Sequence, residues 1–284
     1  VDYLVFPRLA ALAEVAWTQP ARKEWTAFLK GLDAYNEHLT AKGIVYARSM
    51  YNIQHTVTPN NGMLEVKLEG TVKVTCLDPN AEIHYTTDGS EPTATSPLYE
   101  KIVPVKEALT LKGAIFAHGR QMGKTLILPV RWNLATAKPV LGTNPTEKLL
   151  TNGIRGSLKY SDFEWCSWAD NDSVSFTIDL LKLEMLNTLI LGCITNNGMA
   201  IHKPASVRVE VSDDNSKFRE AVVQSFTSEE IFREGNFIEN LSLKLGGTQA
   251  RYVRVTAKGP GVCPASHVRP GQTSRIFFDE VMLE

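Results

Sequence analysis

What this chain has little of narrows its possible roles. Only 4 of its 284 residues are cysteine: Cys76, Cys166, Cys193 and Cys263. None sits in a CxxC pair or beside histidines at a zinc-binding spacing. They read as buried free thiols. An exported protein could oxidise two of them, and the sequence does not select the pair. An excess of either charge is also missing, since 30 Lys and Arg face 31 Asp and Glu for a formal net charge of −1. That balance argues against a basic face for nucleic acid. No apolar run is long enough to cross a bilayer. A Gly-rich phosphate loop, a GxSxG elbow and a metal-ligand triad are all lacking, which disfavours an autonomous enzyme. No leader precedes Val1, and the opening without Met reads as a cut from something longer.

What is present is enough for two or more globular domains, with 43% hydrophobic residues to fill their cores. Residues 1–47 read as helical. Leu4, Leu9, Leu12 and Val15 line one face of a first helix, and Pro7 falls near its start. Trp25, Phe28, Leu29, Leu32, Tyr35 and Leu39 follow helical spacing in a second, with Gly43 as its stop. Two such helices cannot make a core of their own and must pack on something. Residues 49–61 read as a linker with a turn at Pro59-Asn60-Asn61-Gly62. Short strands are then expected at 64–68, 72–77, 83–86, 108–116 and 125–132, with a tight turn at Asp88-Gly89. After a second linker at 133–145, alternating runs at 176–180, 207–211 and 252–255, a short apolar run at 189–191 and a closing segment at 276–283 predict an antiparallel sandwich or jelly roll without a long helix. The fold class is therefore mainly β, with a short helical start.

Three stretches carry resemblances. His84-Tyr85-Thr86-Thr87-Asp88-Gly89-Ser90-Glu91-Pro92-Thr93 resembles the hallmark of the chitobiase/β-hexosaminidase C-terminal domain, an immunoglobulin-like sandwich that serves mostly as a spacer. Pro7-Arg8-Leu9, Ala13-Glu14, Trp17, the Trp25 helix and Gly43 to Tyr46 resemble the last barrel helices of glycoside hydrolase family 20, the β-N-acetylhexosaminidases. In that family an Asp–Glu pair upstream of this motif does the chemistry, so the resemblance implies a chain without the catalytic pair. Glu14 reads as a structural helix residue. Leu150-Thr151-Asn152-Gly153, Trp165, residues 175–180, Ser212-Asp213-Asp214, Ala250 to Val255 and Asp279-Glu280-Val281 resemble the discoidin, or coagulation factor type C, domain, a group that includes carbohydrate-binding module family 32. The expected division is a barrel remnant at 1–48, a sandwich at 49–134 and a discoidin-like module at 135–284.

The discoidin resemblance implies two sites. One would hold structural calcium, with Asn152 standing where Asp is usual and Glu280 supplied by the last strand. The alternative is an empty loop. The other would bind sugar on the loops at 162–172, 195–204 and 258–273, through Trp168, Asn196, His202, His267 and Arg269. Trp168 is expected to be exposed and Trp165 to be core. Either histidine could instead stabilise its loop. Cys263-Pro264 resembles a structural feature of the hexosaminidase-linked subgroup. The implied role is a non-catalytic end of a β-hexosaminidase-like hydrolase that binds galactose- or N-acetylhexosamine-type glycans. Its partner would be the catalytic barrel of the same polypeptide, in the periplasm or at the surface of a bacterium. The competing reading is a purely structural or self-associating end that binds no sugar.

Overall fold

A computed structural model describes residues 2–73, 80–168 and 173–284. The chain forms two compact units. One comprises Val1–Thr56, Lys67–Ile102 and Leu109–Pro129, and the other Val57–Val66, Val103–Ala108 and Val130–Glu284. Strands dominate, after three helices at the start. Among the described residues no helix is long and apolar enough to cross a membrane.

Helix α3 (Trp25–Ala41) falls where the apolar spacing predicts, whereas the expected first helix is divided at Pro7 into α1 (Asp2–Val5) and α2 (Arg8–Trp17). Glu24 caps α3, its carboxylate accepting the Thr26 and Ala27 N–H groups. Gly43 at φ +68 closes the helix, with Gly43 N–H donating to Thr40 and Ile44 N–H to Leu39, the paired bonds of a Schellman stop. The two helices differ in burial. In α3, Leu29 is 1% exposed and Leu32 and Leu39 are buried, while the Tyr51 hydroxyl donates to Asp33 at 2.7 Å. No residue of α2 is buried; Leu12 is 63% and Trp17 92% exposed. The Glu14 carboxylate accepts the Thr18 hydroxyl at 2.7 Å near the end of α2, in keeping with a structural role.

Seven strands follow. β1 (Ile53–Asn60), β2 (Met63–Gly70) and β4 (Val103–Val105) make one sheet, and β3 (Glu82–Thr86), β5 (Leu109–Ala117), β6 (Arg120–Gln121) and β7 (Leu126–Val130) make the other. The expected linker at 49–61 is a correction: it is a 3-10 turn followed by β1. Asn61 (φ 45) and Gly62 (φ 92) are the two central residues of a β1–β2 hairpin, an Asn-Gly pair whose positive φ suits the strand twist. The expected strand at 72–77 lies outside the described residues from 74 onward, as does Cys76. β5 needs Gly113 because a Cβ there would stand 3.3 Å from Leu68 Cδ1 and 3.4 Å from Ile53 Cδ1.

The C-terminal jelly roll is built from β8 (Val140–Leu141), β9 (Cys166–Trp168), β10 (Ser173–Asn196), β11 (Ser206–Ser212), β12 (Arg219–Ser225), β13 (Asn236–Lys258) and β14 (Ile276–Leu283). The short α4 (Ser228–Ile231) enters through a Thr227–Glu230 capping box. Strand order is β12-β11-β13-β10-β14-β9, with β8 also on β10. β10 and β13 are far longer than the alternating runs suggest. Each continues through two breaks in register, one between Asp179 and Glu184, where Leu181 (φ 69) is left-handed, and one between Leu186 and Thr188, opposite the left-handed Gly246 and Gly247. The breaks let one pair of strands serve both layers around a single core that includes Phe176, Ile178, Leu189, Leu191 and Phe278. At the first of them Arg251 grips Asp179 through two hydrogen bonds of 2.8 and 2.9 Å. The expected linker at 133–145 is a second correction. Ala135, Thr136 and Ala137 are buried, and Asn133 Oδ1 accepts the Ala135 and Leu283 N–H groups.

Candidate functional site

One end of the jelly roll gathers most of the residues singled out from the sequence. β10 ends at Asn196, and a 3-10 turn at Asn197–Met199 leads through Ala200 (φ 52) to Ile201. Asn196 and Ile201 exchange both backbone hydrogen bonds, and Asn196 Oδ1 accepts the Met199 N–H. The Asn197 side chain accepts the Gly235 N–H at 3.1 Å, tying this turn to the start of β13. His202 N–H donates to the Arg275 carbonyl, which joins the turn to the 259–275 loop. A small apolar cluster of Trp165, Ile194, Ile201 and Phe277, with Tyr160 and Met199 packed against it, brings in the 157–165 loop.

Of the five sugar candidates, Asn196, His202, His267 and Arg269 meet here. Asn196 is half-buried, and Arg269 is exposed with Nη1 3.4 Å from Gln272. His202 and His267 are both buried, their Nε2 atoms 3.2 Å apart. Burial first, then the neighbouring His267, pushes His202 down to about 4. Neither imidazole is presented to solvent as a sugar donor, so their structural alternative is the one that the geometry favours.

Trp168 is a correction. It is 8% exposed, stacked on Phe176 with centroids 6.2 Å apart and edge-on to Phe278 at 5.6 Å. The cause is strand parity: Trp168 pairs with Ile276 across β9–β14, and alternation turns its ring into the core. Trp165 is buried as expected, its Nε1–H donating to the Ser157 carbonyl. The aromatic that faces solvent is Phe163, 88% exposed at φ 71. It lies in the 162–172 loop that was read as a sugar loop, but nothing in the local sequence marks which aromatic points outward. Residues 169–172 of that loop are outside the described set.

The two calcium candidates also come together. Both oxygens of the Glu280 carboxylate accept the Gly153 N–H, at 3.1 and 3.2 Å. Asn152 Oδ1 accepts the Ile154 N–H, and its Nδ2 donates to Glu164. As arranged, these oxygens accept N–H groups of the loop at 153–154. Burial, and then the adjacent Asp279 charge, raise Glu280 well above the carboxylate range. Burial likewise raises Asp279, against the pull of Arg155, whose Nε donates to it at 2.6 Å.

Cys166, Cys193 and Cys263 are free and buried. Burial pushes the Cys166 thiol up to about 12, which leaves it inert at neutral pH.

Two stretches of the chain match known families. Residues 59–126 match the family model for the chitobiase/beta-hexosaminidase C-terminal domain. Residues 135–268 match that for the F5/8 type C domain. A Beta-hexosaminidase of Porphyromonas gingivalis is 33% identical over 110 residues, which is 38% of this chain and 13% of that relative. Among solved structures, a module produced by Clostridium perfringens, CpGH89CBM32-6, is 18% identical with TM-score 0.36, and the match covers 54% of this chain and 98% of that one. A fucose binding module of Streptococcus pneumoniae is 18% identical with TM-score 0.34, covering 54% and 97%. In sequence order, then, this chain carries a chitobiase/β-hexosaminidase C-terminal domain followed by an F5/8 type C domain.

Proposed function

We propose that the F5/8 type C domain of this chain binds glycans at the loop end described above, and that it holds a β-hexosaminidase-type catalytic domain close to its carbohydrate substrate. The observation that carries this reading is the exposed ring of Phe163, on a loop whose Tyr160 and Trp165 pack against Ile194 and Ile201 at this end of the domain. A flat apolar ring suits the apolar C–H face of a sugar, and amide and guanidinium groups such as those of Asn196 and Arg269 suit its hydroxyls. Tethering raises the local concentration of substrate without any new chemical step. In this reading the chemistry belongs to another part of the protein, the sugars are galactose- or N-acetylhexosamine-type, and the protein works outside the cytoplasm.

A second reading draws on α2. Its apolar face is open along Leu9, Leu12, Val15 and Trp17, a pattern suited to packing against a further domain. A catalytic barrel of the same polypeptide is the occupant that we propose. The chain then serves as both a support and a sugar anchor.

Calorimetric titration with galactose, N-acetylglucosamine and N-acetylgalactosamine, in calcium and in chelator, tests the first reading. Saturable heat that is lost in Phe163→Ala supports it, and silence with all three at millimolar sugar rejects monosaccharide binding. Loss of the heat in chelator would place calcium at Glu280 and Asn152 as a support of the loop end.

A further inference from the structure

His202, Cys263 and His267 lie beneath the exposed loop end, and the glycan reading does not use their chemistry. All three are buried, and one ligand-type atom from each lies within 4.8 Å of the other two. Their arrangement is not local. His202 follows the β10 turn, while Cys263 and His267 sit in the 259–275 loop, with three residues between them. We propose that these side chains form a binding site for a transition-metal ion of the zinc class, which fastens the 259–275 loop to the segment between β10 and β11.

Three observations support the assignment. First, the Nε2 atoms of the two histidines are 3.2 Å apart. Two imidazole nitrogens on one tetrahedral zinc, each about 2.0–2.1 Å from the ion, stand about 3.3 Å apart. The spacing needed is thus already set. Second, Nδ1 of His202 is buried and makes no well-formed hydrogen bond, although it faces the Ile231 backbone. A ligating histidine commonly directs its second ring N–H to a backbone carbonyl. Third, the Phe232 ring packs against both imidazoles, with centroids 5.0 and 6.1 Å away. An apolar wall of that sort excludes water and strengthens ligand–metal attraction. The N₂S donor set prefers zinc or copper to calcium or magnesium.

The protons balance. Without an ion, Arg269 N–H donates to His267 Nδ1 at 3.0 Å. His267 then carries its proton on Nε2 and donates it to His202 Nε2, and His202 carries its own on Nδ1. The ion takes the place of that shared proton. The His267 proton moves to Nδ1, the Arg269 N–H turns to solvent, and Cys263 gives up its thiol proton. One proton leaves for each ion bound. The sulfur must close to about 3.6 Å from each nitrogen, a side-chain rotation away from Ser274, whose Oγ is 3.4 Å from it. Ser274 Oγ or a water is available for the fourth position.

The test is metal uptake by the whole chain. After exposure to zinc chloride and desalting, the wild type should retain about one equivalent of zinc by elemental analysis. Cobalt(II) should give the intense visible bands of a tetrahedral site and a near-ultraviolet thiolate-to-cobalt band. Cys263→Ser should lose the thiolate band, and His267→Gln and His202→Gln should lose uptake. Zinc should raise the Tm of the wild type and not that of His267→Gln. Wild-type chain that keeps less than about a tenth of an equivalent overturns the proposal outright, whether or not the variants fold. A thiolate band that survives in Cys263→Ser assigns the metal to another cysteine and overturns it equally.

Discussion

The hairpin around Asp88 and the loop end around His202 are both dense in polar side chains, but they are held together by different kinds of contact. In the hairpin, partners are near neighbours in sequence. Asp88 Oδ1 accepts the N–H and hydroxyl of Ser90, and the Thr86 hydroxyl donates to the Ser90 carbonyl. His84 Nδ1 lies 2.6 Å from the Ser96 carbonyl. Several polar groups that make this run recognisable bond within it, and Glu91 reaches further, to Lys112 and Thr125. At the loop end the partners are far apart in the chain: Asn197 with Gly235, His202 with His267, His202 with Arg275. A distinctive motif can therefore mark a turn that folds by itself, whereas a site draws its residues from several turns that only the fold brings together.

Aromatic deletions test this contrast most severely. Trp168→Ala should cost about 3–5 kcal/mol in denaturant unfolding, because it empties a stacked core position. Any folded fraction should bind sugar as before. Equal stability of the variant would mean that Trp168 is not core. Next, Gly153→Ala should cost about 2 kcal/mol or more, since a Cβ at φ +75 would stand 2.6 Å from the Arg131 carbonyl. It should also disturb the Gly153–Glu280 contact, which thermal unfolding of Gly153→Ala and Glu280→Gln together would reveal as non-additive.

Smaller effects sharpen the comparison. Phe163→Ala should change stability by less than about 0.5 kcal/mol while weakening sugar binding by about tenfold. The reverse pattern would make Phe163 a folding residue. Asp179→Asn should cost about 1 kcal/mol at neutral pH by loosening the Arg251 grip. Arg251 holds the Asp179 carboxyl below its ordinary value. Its contribution is therefore present above the unfolded-state pKa and is lost as pH falls through the depressed folded one. Wild type and variant should converge in stability in acid, and a gap that persists there would assign the cost to packing.

Much of the fold was legible because it rests on local rules. The α3 spacing, the Gly43 stop and the alternation in β11 are read directly from neighbouring residues. The turn at Pro59-Asn60-Asn61-Gly62 was legible from residue type, but the strand β1 that leads into it was read as a linker. The long β10 and β13 strands were seen only in pieces, because the bend at 180–186 interrupts their alternation. The candidate site was half legible. Asn196 and Arg269 lie on loops at one end of the domain, yet Trp168 was set on the wrong side of its strand. Cys263 with three residues before His267 was a spacing that could have drawn attention to the buried trio, but His202, the third member, is 61 residues upstream of Cys263.

By itself, the sequence determined which segments become strands, where the tight turns fall and which two domain types the chain carries. All of these depend on residue type at short spacing. The tertiary structure alone decided which aromatic faces water, which helix finds a partner and which histidines meet. Burial depends on the elements that close over a side chain, and those come from distant parts of the chain. Trp168 and Phe163, five residues apart, went to opposite fates because β14 covers one and nothing among the described residues covers the other.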